Sequence, residues 1–242
     1  MSYVWLIAAR ELRGYFNGLS GYVILAAHLL ITGILFNVFA VGDKPRYSQE
    51  VLGSFFYFSS GMAIITALLI SLRLVAEERQ LQTLVLLRTA PISERQIIWG
   101  KYLSALLFFS LTLVLSVYMP ALVMVEGKIT VGQIITGYLG LFLLGSACIA
   151  ITLLASVWSP TQLVAGVVAG VLVTLLLVAW MMARVTDEPM RSLFSYLALH
   201  NLHFTTFSSG VLNLRDVVYY LGLTLFFLEA AISSLESWRW RE

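Results

Sequence analysis

Two histidines, His200 and His203, and two adjacent glutamates, Glu77 and Glu78, are side chains whose types suit metal or general-base chemistry. Together they suggest an intramembrane metal-dependent or glutamate protease. Such a site needs its ligands on one side of the membrane and within about 3 Å of a common atom. The span order derived below places the glutamates inside and the histidines outside, and a His-x-x-His pair without a nearby carboxylate is a weak motif. We therefore predict neither an enzyme nor a metal site.

Two other titratable residues, Glu229 and His28, lie within apolar runs of the sequence. Charge inside a bilayer is costly, so Glu229 is a candidate proton or ion site. Alternatively, the Glu229 carboxylate has a structural role: its side chain extends to the membrane interface, or it pairs with a basic group such as Arg73. We favour this structural role, because one carboxylate without a second acidic partner makes a poor ion path. For His28 we expect a hydrogen bond to a neighbouring helix.

Glycine spacing gives one packing motif and excludes one catalytic motif. Gly166 and Gly170 form a Gly-x-x-x-Gly pair, which permits close approach at a helix crossing or a dimer seam, although glycine is common in membrane helices by chance. Gly100-Lys101 is followed by Tyr102 and lacks the upstream glycine of a phosphate-binding loop. We therefore expect no nucleotide site and no cofactor in this chain.

The composition identifies the elements that must position these residues. Of the 242 residues, 60% are hydrophobic and 12% are charged, and the mean hydropathy is +0.89. A soluble domain is much less apolar, and the net charge of +2 does not suggest nucleic acid as a partner. Apolar runs of about 20 residues predict six transmembrane helices in an all-α membrane protein. They are Gly21 to Val41, Gly53 to Val75, Tyr102 to Val125, Gln133 to Val157, Leu163 to Ala183 and Val217 to Leu235.

Basic residues predict the orientation of these spans. With six spans both termini share one side, where nine basic residues lie against six on the other. The positive-inside rule then places both termini in the cytoplasm. In residues 1–18, Trp5, Leu6, Ala9, Leu12 and Phe16 recur at helical spacing and predict an amphipathic helix in the membrane interface, rather than a frayed start to the first span.

Two connections are long enough to carry function. In the cytoplasmic segment, residues 76–93, leucines three residues apart predict an amphipathic helix from Glu77 to Thr89, which would present a docking surface. The external segment, residues 184–216, mixes aromatic and polar residues. We expect it to form short helices on or in the outer face, because unpaired backbone cannot face lipid.

The cytoplasmic segment resembles that of type-two ABC permeases. In that family an acidic and basic cluster, a Thr-Leu-x-x-Leu-Leu helix, a proline turn and an Ile-x-x-Gly-Lys entry to the third span recur in this order. Here they are Glu77-Glu78-Arg79, Thr83-Leu84 with Leu86-Leu87, Pro91-Ile92-Ser93, and Ile97 with Gly100-Lys101. Two positions depart from the family: Gln82 stands where glycine is usual, and Val85 where glutamate is common.

Both ends of the chain are similar to the gliding-motility type of permease within that family. The similar stretches are Ala9 to Phe16 with Gly21-Tyr22-Val23, then Phe204 to Phe207, Gly210-Val211, Arg215 to Tyr219, Leu235-Glu236 and Trp238-Arg239-Trp240. The resemblance therefore covers nearly the whole chain, and it implies a single permease domain over residues 1–242.

The resemblance implies a multi-pass subunit of the bacterial inner membrane. Its partners would be membrane lipid, a second copy of itself or a related permease, two cytoplasmic ATP-binding cassette subunits and a membrane-anchored periplasmic protein. ATP and Mg²⁺ would be bound by the cassette subunits. The cargo, if there is one, and the choice between homodimer and heterodimer stay open.

The same resemblance assigns two groups of site residues. The ATPase-coupling residues would be Glu77, Glu78, Arg79, Thr83, Leu84, Leu86, Leu87, Arg88 and Pro91. An external gate or partner contact would comprise His200, His203, Phe204, Phe207, Arg215 and Asp216. The alternatives to an ATP-driven permease are a secondary carrier or channel, which would need paired intramembrane charges and an internal repeat, and the intramembrane enzyme considered above.

Overall fold

A computed structural model describes residues 3–42, 47–83, 92–126 and 129–239, and within these ranges every regular element is a helix. The helices are α1 (Tyr3–Asn17), α2 (Leu19–Leu35, continued by a π-helical segment, Phe36–Val41), α3 (Ser48–Ser71), α4 (Arg73–Gln80), α5 (Glu94–Ser116), α6 (Tyr118–Glu126), α7 (Val131–Trp158), α8 (Gln162–Val185), α9 (Met190–Leu197), α10 (Phe204–Ser208) and α11 (Leu214–Arg239).

Six stretches of helix are long and apolar enough to cross a membrane, which confirms the predicted fold class. They run over Leu19–Val41, Ser48–Gln80, Glu94–Val125, Val131–Trp158, Gln162–Val185 and Leu214–Ser237. Four of them, the first, fourth, fifth and sixth, extend by only a few residues beyond the predicted ends. The second and third extend further at their polar ends, since backbone hydrogen bonding continues a helix where hydrophobicity has already stopped.

The fourth span, α7, is the centre of the bundle. Its apolar window is 94% buried, against 17% for the first span and 22% for the fifth. A helix that is apolar all round is expected in such a central position. Two glycines of α7 admit aromatic rings from the neighbouring spans: Phe56 of α3 lies against Gly137, and Phe109 of α5 lies against Gly145.

The predicted N-terminal helix is present as α1 and is separated from the first span by the extended residue Gly18. Its inner face buries Ile7, Ala8 and Tyr15, while Trp5 and Leu6 are exposed. Ile7 lies so close to Gly100 of α5 that a Cβ there would be 2.7 Å from the Ile7 Cβ. We call the end of the bundle where α1 lies the α1 end.

The second span is interrupted at Leu72, where α3 passes into α4. The hydroxyl of Ser156 in α7 donates to the Leu72 carbonyl (2.9 Å) and accepts from the N–H groups of Val75 (3.1 Å) and Ala76 (2.9 Å). A side chain inserted into the backbone hydrogen-bond ladder is a recognised cause of a helix bend. The span is therefore two helices joined at a supported break.

At the opposite end, the α10 end, the external segment folds back into the bundle. The N–H of Leu199 donates to the carbonyl of Leu176 in α8 (3.1 Å). Leu176 lies nine residues before the end of α8, so at 1.5 Å per residue Leu199 lies about 14 Å inside that end. This agrees with the prediction of short helices on or in one face of the bundle, while the assignment of that face to the outer side stays a prediction.

Candidate functional site

Four charged side chains at the α1 end form an ion cluster that joins three helices. The Lys101 Nζ of α5 lies 3.1 Å from Glu11 Oε1 of α1 and 2.9 Å from Glu78 Oε1 of α4. The guanidinium of Arg10 in α1 contacts the same two oxygens, at 2.8 Å and 3.0 Å. Two carboxylates and two cations balance, so this cluster (Arg10, Glu11, Glu78 and Lys101) is neutral.

Burial makes the charges of the ion cluster depend on each other. The Lys101 side chain is 0% exposed, and those of Glu78 and Glu11 are 15% and 21% exposed. Burial by itself would raise the pKa of Glu11, but Lys101 and Arg10 outweigh it and hold that pKa below the ordinary carboxyl value. Removing either cation would therefore leave a poorly solvated carboxylate.

Aromatic contacts add to the connection between α1 and the second span. The Tyr15 hydroxyl donates to the Ile70 carbonyl (2.8 Å), and the Tyr15 ring stacks on Phe108. The Arg73 guanidinium lies 4.4 Å from the centroid of the same tyrosine ring and donates to Ser20 Oγ (2.8 Å). Helix α1 is thus held to both parts of the second span and to α5.

The predicted helix from Glu77 to Thr89 is wrong in its first half. The chain from Arg73 to Gln80 is α4, the second helix of the second span, and it ends in a Schellman motif at Gln82, whose φ is 58°. The N–H of Thr83 donates to the Glu78 carbonyl (2.9 Å), and that of Gln82 donates to the Arg79 carbonyl (3.1 Å). Leucine periodicity could not reveal this end, because local backbone hydrogen bonds determine it.

The predicted coupling residues therefore occupy two different environments. Glu77 is exposed, Glu78 belongs to the ion cluster, and Arg79 donates to the Ser159 carbonyl between α7 and α8 (3.2 Å). Glu11, Gly14, Arg73, Leu74, Glu77, Glu78 and Leu81 line a cavity of about 290 Å³ between α1 and α4. The remaining predicted residues lie outside the described part of the chain: Leu84, Leu86, Leu87, Arg88 and Pro91.

At the α10 end, His203 and Asp216 form a buried pair. His203 Nδ1 lies 2.7 Å from Asp216 Oδ1, and Thr206 Oγ1 donates to Asp216 Oδ2 (2.7 Å). His203 Nε2 faces the Tyr196 carbonyl at 3.2 Å. The two side chains are 0% and 4% exposed, so the pair fastens the external segment to the start of α11.

The other predicted external residues, except Arg215, also point inward. His200 Nε2 lies 2.6 Å from Ser60 Oγ of α3, and its ring stacks on Phe204. Phe207 packs against Gly140 of α7, where a Cβ would lie 2.5 Å from the Phe207 Cβ. Since His203, Phe204 and Phe207 are fully buried, a partner would reach them only if this segment opened.

The partner and the position of Glu229 differ from the predicted ones. It pairs with Arg95, not with Arg73, at 2.9 Å, and both side chains are at least half exposed. Arg95 is the second residue of α5, so Glu229 lies level with a helix end at the α1 end and away from mid-bilayer. The expected hydrogen bond of His28 is present, since its Nδ1 lies 2.8 Å from Thr66 Oγ1 of α3.

The Gly166 and Gly170 pair does not form the inner face of α8. That face consists of Ala165, Ala169 and Val173, which are buried. Gly166 faces Leu72 at ordinary contact distance, and Gly170 faces open space within the described structure. Gly170 is therefore unused in packing within the described chain.

Sequence reasoning missed Lys101, Arg10, Glu11 and Ser156 as site residues. The available signal was weak, because Lys101 opens an apolar run as ordinary membrane-boundary lysines do. Its partners Glu11 and Glu78 are 90 and 23 residues away, respectively, so their pairing could not be read from spacing. In the described residues no group of three or more His, Cys, Asp or Glu could hold a metal ion.

Comparison with known protein families gives one match that covers most of the chain. The sequence model of a family described as ABC-2 family transporter protein matches residues 20–234. A search of curated proteins found no match.

Proposed function

We propose that this chain, which belongs to the ABC-2 transporter family, converts ATP hydrolysis by a separate cassette subunit into movement of its helix bundle. The family match makes it a membrane-spanning subunit of an ABC transporter. One observation carries the proposed coupling. The buried ion cluster joins the end of α4, which leads into the proposed docking residues 84–91, to both α1 and α5.

The proposed coupling begins at the end of α4. Glu77, Gln80 and Leu81 are exposed there and lead directly into residues 84–91, where the docking leucines Leu84 and Leu87 lie. A cassette that pushed this segment would displace α4, and Glu78 would carry the displacement to Lys101 and α1. The break at Leu72 would serve as the pivot, with Ser156 passing the motion to the central helix α7.

The proposed assembly contains two copies of this chain, or this chain and a relative, with two cassette subunits that bind ATP and Mg²⁺. The first and fifth spans are the least buried in the described chain, and Gly170 on the fifth faces open space. These features suit contact with a second permease chain. We further propose the bacterial inner membrane with cytoplasmic termini, a gliding-motility type of complex, and a periplasmic partner.

The proposal is tested by affinity purification of the tagged chain from native membranes. A cassette subunit should copurify with the wild type, and its ATPase activity should depend on the permease. Substituting both Leu84→Asp and Leu87→Asp should abolish copurification. The matched control is Val211→Asp with Leu212→Asp, in an exposed loop at the α10 end, and it should retain the cassette.

The proposal fails if no cassette subunit copurifies with the wild type. It also fails if the Leu84→Asp, Leu87→Asp variant retains the cassette subunit and the permease-dependent ATPase activity. A secondary carrier would instead lose function on Glu229→Gln, with no dependence on a cassette. Because Glu229 pairs with Arg95 at one end of the bundle, we expect Glu229→Gln to leave ATPase activity unchanged.

A further inference from the structure

A cavity of about 320 Å³ lies at the α10 end, apart from the ion cluster and from the cavity between α1 and α4. Tyr196 of α9 and Leu214, Arg215, Val218 and Tyr219 of α11 line it. It therefore lies where the external segment meets the start of the last span. Its walls combine one cation, two phenol rings and two aliphatic side chains.

The cation in this cavity lacks an anionic partner within the described residues. The Arg215 guanidinium lies 4.4 Å from the centroid of the Tyr196 ring, and its side chain has no hydrogen bond or ion pair in the described chain. The neighbouring carboxylate of Asp216 is turned inward, and His203 and Thr206 engage both of its oxygens. The positive charge of Arg215 is therefore available to a ligand.

Tyr196 offers a second polar group. Its side chain is exposed, and its hydroxyl makes no hydrogen bond in the described part of the chain, unlike that of Tyr219, which donates to the Leu197 carbonyl. A stacked arginine keeps its N–H groups directed outward from the ring and matches a phosphate with two parallel hydrogen bonds. The two groups together suit an anionic oxygen-rich ligand.

The rest of the cavity requires that the ligand also be apolar. Leu214 and Val218 are 73% and 60% exposed, and the exposed stripe continues along α11 through Leu221 and Leu225. These residues lie within the last candidate span, Leu214–Ser237, where an exposed apolar stripe is expected to lie against lipid chains. A soluble anion would gain nothing from this stripe, whereas an acyl chain would bury apolar surface along it.

We propose that this cavity binds the phosphodiester headgroup of an anionic phospholipid in the leaflet at the α10 end. Arg215 holds the phosphate, the Tyr196 hydroxyl donates to it, and the acyl chains follow Val218, Leu221 and Leu225. Anionic lipids attract basic groups at the membrane surface, and an aromatic neighbour keeps the arginine at interface level. The site does not depend on the proposed coupling to ATP.

The test compares lipids added to the purified full chain in a neutral detergent. Phosphatidylglycerol should raise the thermal unfolding midpoint of the wild type more than phosphatidylcholine does, and Arg215→Gln should lose most of that difference. Arg184→Gln is the matched control, because Arg184 stacks on Trp180 at the same 4.4 Å outside this cavity. It should keep the difference.

Three outcomes would overturn the proposal. The first is a wild type without any preference for phosphatidylglycerol, which would indicate that the cavity serves a protein partner instead. The second is an equal loss of the preference in Arg215→Gln and Arg184→Gln, which would indicate general surface charge. The third is a whole shift reproduced by inorganic phosphate at the same concentration, which would indicate a free anion. Native mass spectrometry of the wild type should also show higher occupancy by phosphatidylglycerol than by phosphatidylcholine. This measurement does not require any variant to fold.

Discussion

At the residue scale, Lys101 shows how a costly group becomes a structural connection. A buried ammonium is unfavourable unless carboxylates surround it closely. Glu11 of α1 and Glu78 of α4 do so from two different helices. A shift of either helix would therefore weaken the ion pairs of Lys101. Arg95 and Glu229 form an ion pair of similar length that is open to solvent or headgroups.

Replacing Lys101 should therefore cost much more than replacing Arg95. We expect Lys101→Met to lower the free energy of unfolding by about 3 kcal/mol, because two carboxylates lose a buried partner. Arg95→Met should lower it by less than about 1 kcal/mol, as is usual for an exposed pair. Unfolding in mixed micelles with increasing dodecyl sulfate measures both, and equal losses would refute the role given to burial.

The contribution of Glu11 should also depend on pH. Since the pKa of Glu11 is lowered in the fold, its stabilising contribution is complete above the ordinary carboxyl pKa and is lost as the pH falls through the lowered value. The difference in stability between the wild type and Lys101→Met should therefore shrink on acidification. A difference that stayed constant down to strongly acidic pH would show that the carboxylates contribute nothing.

Gln82 carries a conformational cost that glycine would remove. Its φ of 58° lies in the left-handed region, which disfavours a residue with a Cβ by roughly 1 kcal/mol. We expect Gln82→Gly to raise the unfolding free energy by about this amount. The control Gln80→Gly, at an exposed helical position, should lower it by a similar amount.

At the scale of elements, the external segment is held in place by its contacts with α3, α7 and α11. Helix α10 has only five residues, too few to be stable alone. It is held by Phe207 against Gly140, by the pair of His203 with Asp216, and by His200 with Ser60. The external segment therefore stays folded into the bundle because α10 packs against its neighbours, and not because α10 is stable by itself.

A methyl group at Gly140 should loosen this segment. In Gly140→Ala the new Cβ would meet the Phe207 Cβ at 2.5 Å, so α10 must shift outward. Faster amide hydrogen exchange over residues 198–210 should report the shift. Gly222→Ala in α11, where no atom lies within 4 Å, is the control and should leave that exchange unchanged. Unaltered exchange in Gly140→Ala would show that the contact does not hold the segment.

At the scale of the whole molecule, the orientation in the membrane can be tested with single cysteines. The native Cys148 is completely buried and should not react. Gln80→Cys lies at the α1 end and Ser192→Cys at the α10 end, and both positions are exposed. The excess of basic residues predicts that an impermeant maleimide labels Ser192→Cys in intact spheroplasts and labels Gln80→Cys only after lysis. The reverse pattern would invert the orientation.

The sequence by itself determined the six spans and the separate N-terminal helix. Hydrophobic run length is a local property, and a spanning helix satisfies its backbone hydrogen bonds within its own segment. The same local reasoning extended a helix through Leu81 to Thr83, where leucine spacing continues but the backbone turns at Gln82.

Only the tertiary structure decided which polar groups meet. Three contacts join separate parts of the bundle: Lys101 with Glu11, His203 with Asp216 and Ser156 with Leu72, across 90, 13 and 84 positions. Membrane helices of similar apolarity can pack in many rotations and orders, because lipid does not distinguish their faces. The rotation of each helix about its axis selects these contacts, and it placed Glu229 beside Arg95 while turning Arg73 toward Tyr15.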